Sequence, residues 1–425
     1  MVEVTEDYDV SKQMYRLTLK QHTPSTPGQP QESKLPLMIP VVTGLLSQSG
    51  AEIAASRVLL LTESQQTFEF PGVTERPIPS ILRDFSAPVR LKFQQSNDDL
   101  SVIMAHDTDS YNRWEAANRL STQVILGLAE LEFKDIYAQT LPPYYLSAVK
   151  RVLQSRKDAS IDRSLIAYAL QLPDLMTLSQ EVEVVDPDRL NRARNHVQRT
   201  IAQQLYEEIK SIYDETASSS KEYVFSPQEV SRRRLRNTCL DYLTNLEDKA
   251  SVTLAYNQFL YANCMSDQIS AMYSLVSGPD SDERSAAIMK FYEDAGGDAL
   301  VLNKWFSIQA AADRPGLLDD VIRLKSHPDF TMTNPNRARS LLSVFAGNMP
   351  HFHSADGKGY TFIADCVIEL DKLNPQVAAR MAGSFSQWRR FDGARQNLMR
   401  AELERIRGTI GLSKDTFEVV TRTLK

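Results

Sequence analysis

Cysteine is scarce in this chain: 3 among 425 residues, at Cys239, Cys264 and Cys366. An odd number of distant cysteines argues against a disulfide framework or a paired-cysteine metal knuckle. It points instead to inert thiols in a reducing cytosol, so a cytoplasmic location is expected. No apolar run reaches the ~18 residues that a membrane-spanning helix needs, so no membrane partner is expected. The net charge of −6 gives no global attraction to nucleic acid or to an anionic surface. The acidic start, from Met1 to Asp9, has no signal-peptide core. If the sequence is a piece of a longer protein, that start says little about export.

Familiar catalytic signatures are also missing. There is no His-Glu-x-x-His helix for zinc, no phosphate-binding P-loop, no nucleophile elbow and no dinucleotide-binding glycine run. Among the 6 histidines, only His351 and His353 are close together. Asp356 could join them as a metal ligand, but nothing else in that loop completes a set, and a packing role is favoured. Gly357-Lys358-Gly359 reads as a turn rather than a phosphate cradle. The densest basic run, Arg232 to Arg236, lacks interleaved aromatics. It is expected to form a solvated face or to pair with neighbouring carboxylates, not to bind nucleic acid.

What the sequence does contain is a change of period. Residues 1 to 97 read as β. Met14 to Lys20 alternates apolar and polar, and Leu37–Leu46, Arg57–Thr62, Gln66–Phe70 and Val89–Phe93 supply further short strands between turn signals. Five or six strands suggest a small β-sandwich. From residue 98 to 425 amphipathic helices take over. Examples are Arg113–Leu131, Asp186–Ile212 with an Asp-Pro start, and a helix capped by Ser226-Pro227-Gln228-Glu229. Residues 213–223 and 277–281 read as polar loops. Some 330 residues of paired helices exceed what one core sustains. Stacked pairs escape that limit, so an α-superhelical domain of HEAT or armadillo type, with a concave wall or lumen, is expected.

Two helix starts focus the search for a site. Asn334-Pro335 and Asn374-Pro375 each offer an Asn N-cap and a Pro at the first helical position. They lie about 40 residues apart, close to a helical repeat length. Each opens a helix with arginine in its first turns: Arg337 and Arg339 on one, Arg380 on the other. Gln376 and Arg380 share a helix face. On pattern alone these arginines would cap carbonyls or bridge repeats.

At these residues the sequence resembles the C-terminal part of the bacterial aminopeptidase N family, zinc aminopeptidases of the gluzincin type. The resemblance spans nearly the whole chain. It includes Tyr15-Arg16-Leu17-Thr18-Leu19, Asp84-Phe85-Ser86-Ala87-Pro88-Val89, Arg113-Trp114-Glu115-Ala116-Ala117 and Leu235-Arg236-Asn237-Thr238-Cys239-Leu240. Its most specific stretches run from Phe330 to Ser340 and from Asn374 to Arg380. That resemblance implies a β-sandwich followed by an α-superhelix, with the zinc-binding helix and the substrate-amine motif on parts the chain does not match. It therefore implies no catalytic residue, metal ligand or cofactor here, and no activity of this chain alone. It implies that the chain's partners are the catalytic domain of the same enzyme and short peptide substrates. It further implies that Gln376 lines the pocket for the substrate's first side chain, and that Arg339 and Arg380 face the channel. Arg337 keeps a structural role. The competing expectation is a stand-alone α-solenoid that scaffolds protein interactions.

Overall fold

The computed structural model describes residues 1–132, 134–158, 161–218 and 222–425. They group into two compact units: 1–124 with 140–172, and 125–139 with 173–425.

The first unit holds seven strands: β1 Val2–Asp9, β2 Met14–Gln21, β3 Ile39–Leu46, β4 Glu52–Leu61, β5 Gln65–Pro71, β6 Ile78–Ile81 and β7 Leu91–Lys92. They form two sheets, in the orders β5-β2-β1-β7 and β4-β3-β6. Tyr15, Leu17 and Leu19 alternate inward from β2 and are fully buried, facing Val41 and Leu45 of β3 and Leu59 and Leu61 of β4 in one apolar cluster. Period-two alternation thus gives each sheet one dry face.

Two strands escaped the sequence reading. In β1, acidic residues mask the alternation of Val2 and Val4. Their charge is met across the sheet, by Lys92 on Glu3 at 2.8 Å and by Arg16 on Asp7 at 3.1 Å. In β6, Pro79 argues against a strand, but β6 is a sheet edge, where a missing N–H is tolerated. Helices Asn97–His106 and Pro143–Gln154, with the start of helix Ser110–Ala129, belong to this same unit. Arg76 grips Asp99 at 3.0 Å, and buried Arg83 reaches Asp107 at 2.9 Å. Gly44 makes room for that guanidinium: a Cβ there would sit 2.3 Å from Arg83 Cζ.

The second unit is helical. Among its described residues the only β pairing is an isolated bridge between Val185 and Phe391. The helix expected over 186–212 is two helices, Pro187–Gln204 and Tyr206–Glu215, broken at Leu205 (φ −117°, ψ 28°). No Gly or Pro marks the break. Both halves pack on helix 227–244, and the first packs on helices 175–180 and 349–352 as well.

The basic run is not a solvated face. Arg232 and Arg233 are buried. Arg232 donates to Glu229 at 2.9 Å and to the Thr216 carbonyl, Arg236 to the Tyr213 carbonyl, and Arg233 to the Val224 carbonyl. They fasten chain on both sides of residues 219–221, the part of the expected 213–223 loop that lies outside the described residues. In fact Tyr213–Glu215 is still helical.

Beyond residue 227 most helices pack on their neighbours in sequence: 249–261 on 265–277, and 358–371 on 375–382. The unit then closes on itself. Arg390 donates to the Ser179 carbonyl at 2.8 Å, and Arg395 binds Asp188. Elements some 200 residues apart therefore meet.

Candidate functional site

Both Asn-Pro starts form as expected. Asn334 accepts from the amides of Asn336 and Arg337, and Asn374 from Val377. The first helix then loosens into a π-helical turn over Arg339–Ser343 before resuming at Val344. Such turns widen the backbone spiral and recur at functional sites. Nothing in the local sequence announces this one.

The two arginines of this helix separate cleanly. Arg337 is buried, donates to Asn303 Oδ1 at 2.7 Å and to the Asp329 carbonyl, and lies 5.1 Å from the Phe306 ring centre. It is structural. Arg339 is partly buried and turns back onto its own helix start, donating to the Pro335 carbonyl at 3.1 Å and to Asn336 Oδ1 at 2.7 Å.

Helix Pro375–Ala382 buries Ala378, Ala379, Met381 and Ala382 and leaves Gln376 and Arg380 exposed. Among the described residues neither side chain makes a hydrogen bond or ion pair. An unneutralised guanidinium beside an amide, one helical turn apart, is equipped to receive a carboxylate or peptide oxygens. The helix beneath them is clamped. Asp371 accepts from the Ser413 amide at 2.8 Å, and from the hydroxyls of Ser413 and Thr416 at 2.5 Å each. Gln376 and Arg380 thus share one face, whereas Arg339 sits on a separate helix with no bond to either.

The helix that carries Arg339 continues into the wall of a basin of about 480 Å³. Ser343, Val344 and Gly347 line it, with Asn191, Arg194 and Asn195 of helix 187–204, and with Tyr273 and Asp313. Asp313 is its hub, accepting from Asn191 at 3.2 Å and Asn195 at 3.1 Å, with His351 Nε2 at 3.0 Å. Burial works to raise the Asp313 carboxyl, but His351 and the two amides outweigh it and hold it below the ordinary carboxylate value. Sequence reasoning missed this hub because Asn191 and Asn195 lie more than a hundred residues from Asp313, and His351 lies 38 away.

Nearby, Asp241 is exposed to solvent yet surrounded by enough protein that burial raises its carboxyl, despite the opposing Arg194 charge and a Gln198 hydrogen bond. Tyr273 behaves alike, its phenol raised by burial. Groups open to water but enclosed by protein line a concavity, not a convex face.

This arrangement can hold a ligand; among the described residues of the basin no nucleophile is paired with a free base. Nor do its residues fit zinc. His351 faces Asp313, while buried His353 bonds Tyr360 at 3.0 Å and stacks on Phe391 at 4.0 Å. Burial and Arg395 push the His353 imidazole down to about 3. Asp356 instead binds the backbone and ammonium of Lys358. The expected loop around these histidines contains a helical turn, Met349–Phe352. Among the described residues no three His, Cys, Asp or Glu side chains gather as metal ligands.

Comparison with known proteins places these features in a family. A family profile described as a domain of unknown function with an Ig-like fold matches residues 1–94, and its companion, described as ARM repeats, matches residues 97–425. The chain is 35% identical to aminopeptidase N of Escherichia coli, over all of this chain and 49% of that protein. It is 34% identical to aminopeptidase N of Haemophilus influenzae, over 99% of this chain and 48% of that one. The solved structure of Legionella pneumophila aminopeptidase A in complex with aspartic acid superposes with a TM-score of 0.84 at 31% identity, covering 100% of this chain and 48% of that one. The chain therefore spans about half the length of the relatives it matches.

Proposed function

Because the chain belongs to the DUF3458 family, an Ig-like module followed by ARM repeats, and is homologous to the C-terminal, non-catalytic half of aminopeptidase N, we propose that it supplies the substrate-enclosing wall of a zinc aminopeptidase. Its partner in that role is the catalytic domain of the same enzyme, which would hold the zinc. The substrates are short peptides, because a long or folded chain cannot enter an enclosed cavity. The observation that carries this reading is the exposed face of helix Pro375–Ala382, where Gln376 and Arg380 make no hydrogen bond or ion pair among the described residues. Gln376 contacts the substrate's first side chain, and Arg380, with Arg339, draws the peptide's carboxylate. Cytoplasmic placement accords with three cysteines that form no disulfide among the described residues, two of them buried.

Two experiments test the proposal. The purified chain with added zinc should not turn over alanine p-nitroanilide; turnover abolished by a chelator would refute it. In the complete enzyme, Arg380→Ala should reduce kcat/KM for peptides with a free carboxylate by roughly 10- to 150-fold, the equivalent of one charge-assisted contact of about 1.5–3 kcal/mol. Anilide substrates should change far less. Equal losses on both substrate types would remove the role of the charge. The reading frame before Met1 separates this proposal from a stand-alone scaffold: a continuous frame encoding His-Glu-x-x-His supports the enzyme, and a stop codon supports the scaffold.

A further inference from the structure

A second hollow of about 510 Å³, within the size range of small-ligand sites, opens between helices Asp282–Asp294, Ala299–Ala310 and Leu317–Lys325. It shares no lining residue with the basin or with the Gln376–Arg380 face. Its wall is aromatic. Tyr292, Trp305 and His327 form a three-ring cluster with centroids 5.1 to 5.2 Å apart, and exposed Met289 forms a lip. Such a surface takes the face or edge of another ring.

Charge at and beside this hollow is unbalanced. Among the described residues, Arg284 and Arg323 of its lining and the adjacent Arg314 share two carboxylates, Asp280 and Asp320. Arg314 takes the good contacts, at 2.6 Å to each. Arg284 is left with 3.3 Å to Asp280 and 3.8 Å to Asp320, and its Nε has no partner among the described residues. Burial first, and the Arg314 charge second, lower the Arg284 pKa, as expected of a cation short of counter-charge. One further anion would complete the cluster: three guanidiniums against three carboxylates.

We propose that this hollow binds a small aromatic monocarboxylate, its ring against Tyr292 and Trp305 and its carboxylate on Arg284 and Arg323. The site is independent of the aminopeptidase reading and survives that reading's failure.

The probe pair is N-acetyl-L-phenylalanine and its neutral amide, titrated calorimetrically into the full 425-residue chain. The acid should bind saturably and at least about tenfold more tightly than the amide, as one charge-assisted contact requires. Arg284→Gln should abolish that preference. Met289→Glu, a change on an exposed lip that leaves the fold intact, should weaken the acid and spare the amide. Failure of the acid to saturate at millimolar concentration overturns the proposal. So does equal affinity for acid and amide, or an Arg284→Gln chain that still prefers the acid.

Discussion

Replacing Asp371 by Ala tests how helix Pro375–Ala382 is held in place. The Asp371 side chain is nearly buried, at 6% exposure, and accepts three hydrogen bonds from the start of the last helix, Lys414–Leu424. Ser413 also caps that helix by accepting from the Thr416 amide, and the helix packs on Pro375–Ala382. Hydrogen bonds to a charged acceptor contribute about 1.5–3 kcal/mol each. Three bonds to one carboxylate are not independent, and water recovers part of the loss, so about 3 kcal/mol is expected for Asp371→Ala. That is roughly a 150-fold rise in the open population of the last helix. Hydrogen exchange of amides 414–424 reads it directly, and suits a two-unit chain better than a single melting temperature. Asp371→Asn keeps a hydrogen-bonding group and should lose about half as much. The pH dependence follows from the carboxyl. Burial tends to raise it, but Ser413 and Thr416 outweigh burial and keep it below its ordinary value. A depressed carboxyl stabilises fully above its unfolded value near 4, and that stability is lost as pH falls through the folded value. Unchanged exchange in Asp371→Ala at neutral pH would refute the clamp.

Three further outcomes are expected. Arg337→Ala should destabilise the helical unit by about 3 kcal/mol in urea, whereas Arg380→Ala should stay within about 0.5 kcal/mol, since only Arg337 is buried and bonded. Comparable losses would undo the division between a buried, bonded arginine and an exposed one. Asp241→Asn should stabilise the chain at pH 7 and not at pH 3. A raised carboxyl favours the folded state only in its protonated form, so its cost appears as pH rises, and the asparagine removes that cost. Paired thermal melts at the two pH values check it. Burial pushes the Cys366 thiol up to about 12, and Cys239 is also buried, so a native thiol titration should detect Cys264 first and all three cysteines only after denaturation.

The sequence made local signals legible and left tertiary ones hidden. Both Asn-Pro caps, the Ser226 cap and the inward alternation of β2 could be read because each depends on residues within one turn or one pleat. The break at Leu205 carried no Gly or Pro; both halves share helix 227–244, and only the first also packs on helices 175–180 and 349–352, contacts that no local pattern reveals. The arginine run was half legible: Arg232 and Arg233 pair with the neighbouring carboxylate Glu229, as one of its two readings had it, but the Thr216, Tyr213 and Val224 carbonyls it also holds are backbone atoms that no side-chain pattern reveals. His351 was noticed, but the carboxylate it meets is Asp313, 38 residues away, rather than Asp356, five away.

On the proposed reading, the same contrast explains how a helical wall would serve a reaction run elsewhere. Asp241 and Tyr273 meet solvent, yet burial shifts both away from their ordinary values. Charges in such a concavity are screened less than charges on a convex surface, because protein surrounds the water that reaches them. The helical unit is also closed on itself, through Arg390 on the Ser179 carbonyl and Arg395 on Asp188. On the proposed reading Arg380 faces the same enclosed space, where its charge would act more strongly on a ligand. Opening it should weaken Arg380-dependent discrimination even where no contact to Arg380 changes. Arg395→Met removes one closing ion pair far in sequence from Asp188, and in the complete enzyme it should shrink the difference between free-carboxylate and anilide substrates. If that difference stays at its wild-type size while hydrogen exchange shows the closure loosened, enclosure plays no part in the selectivity.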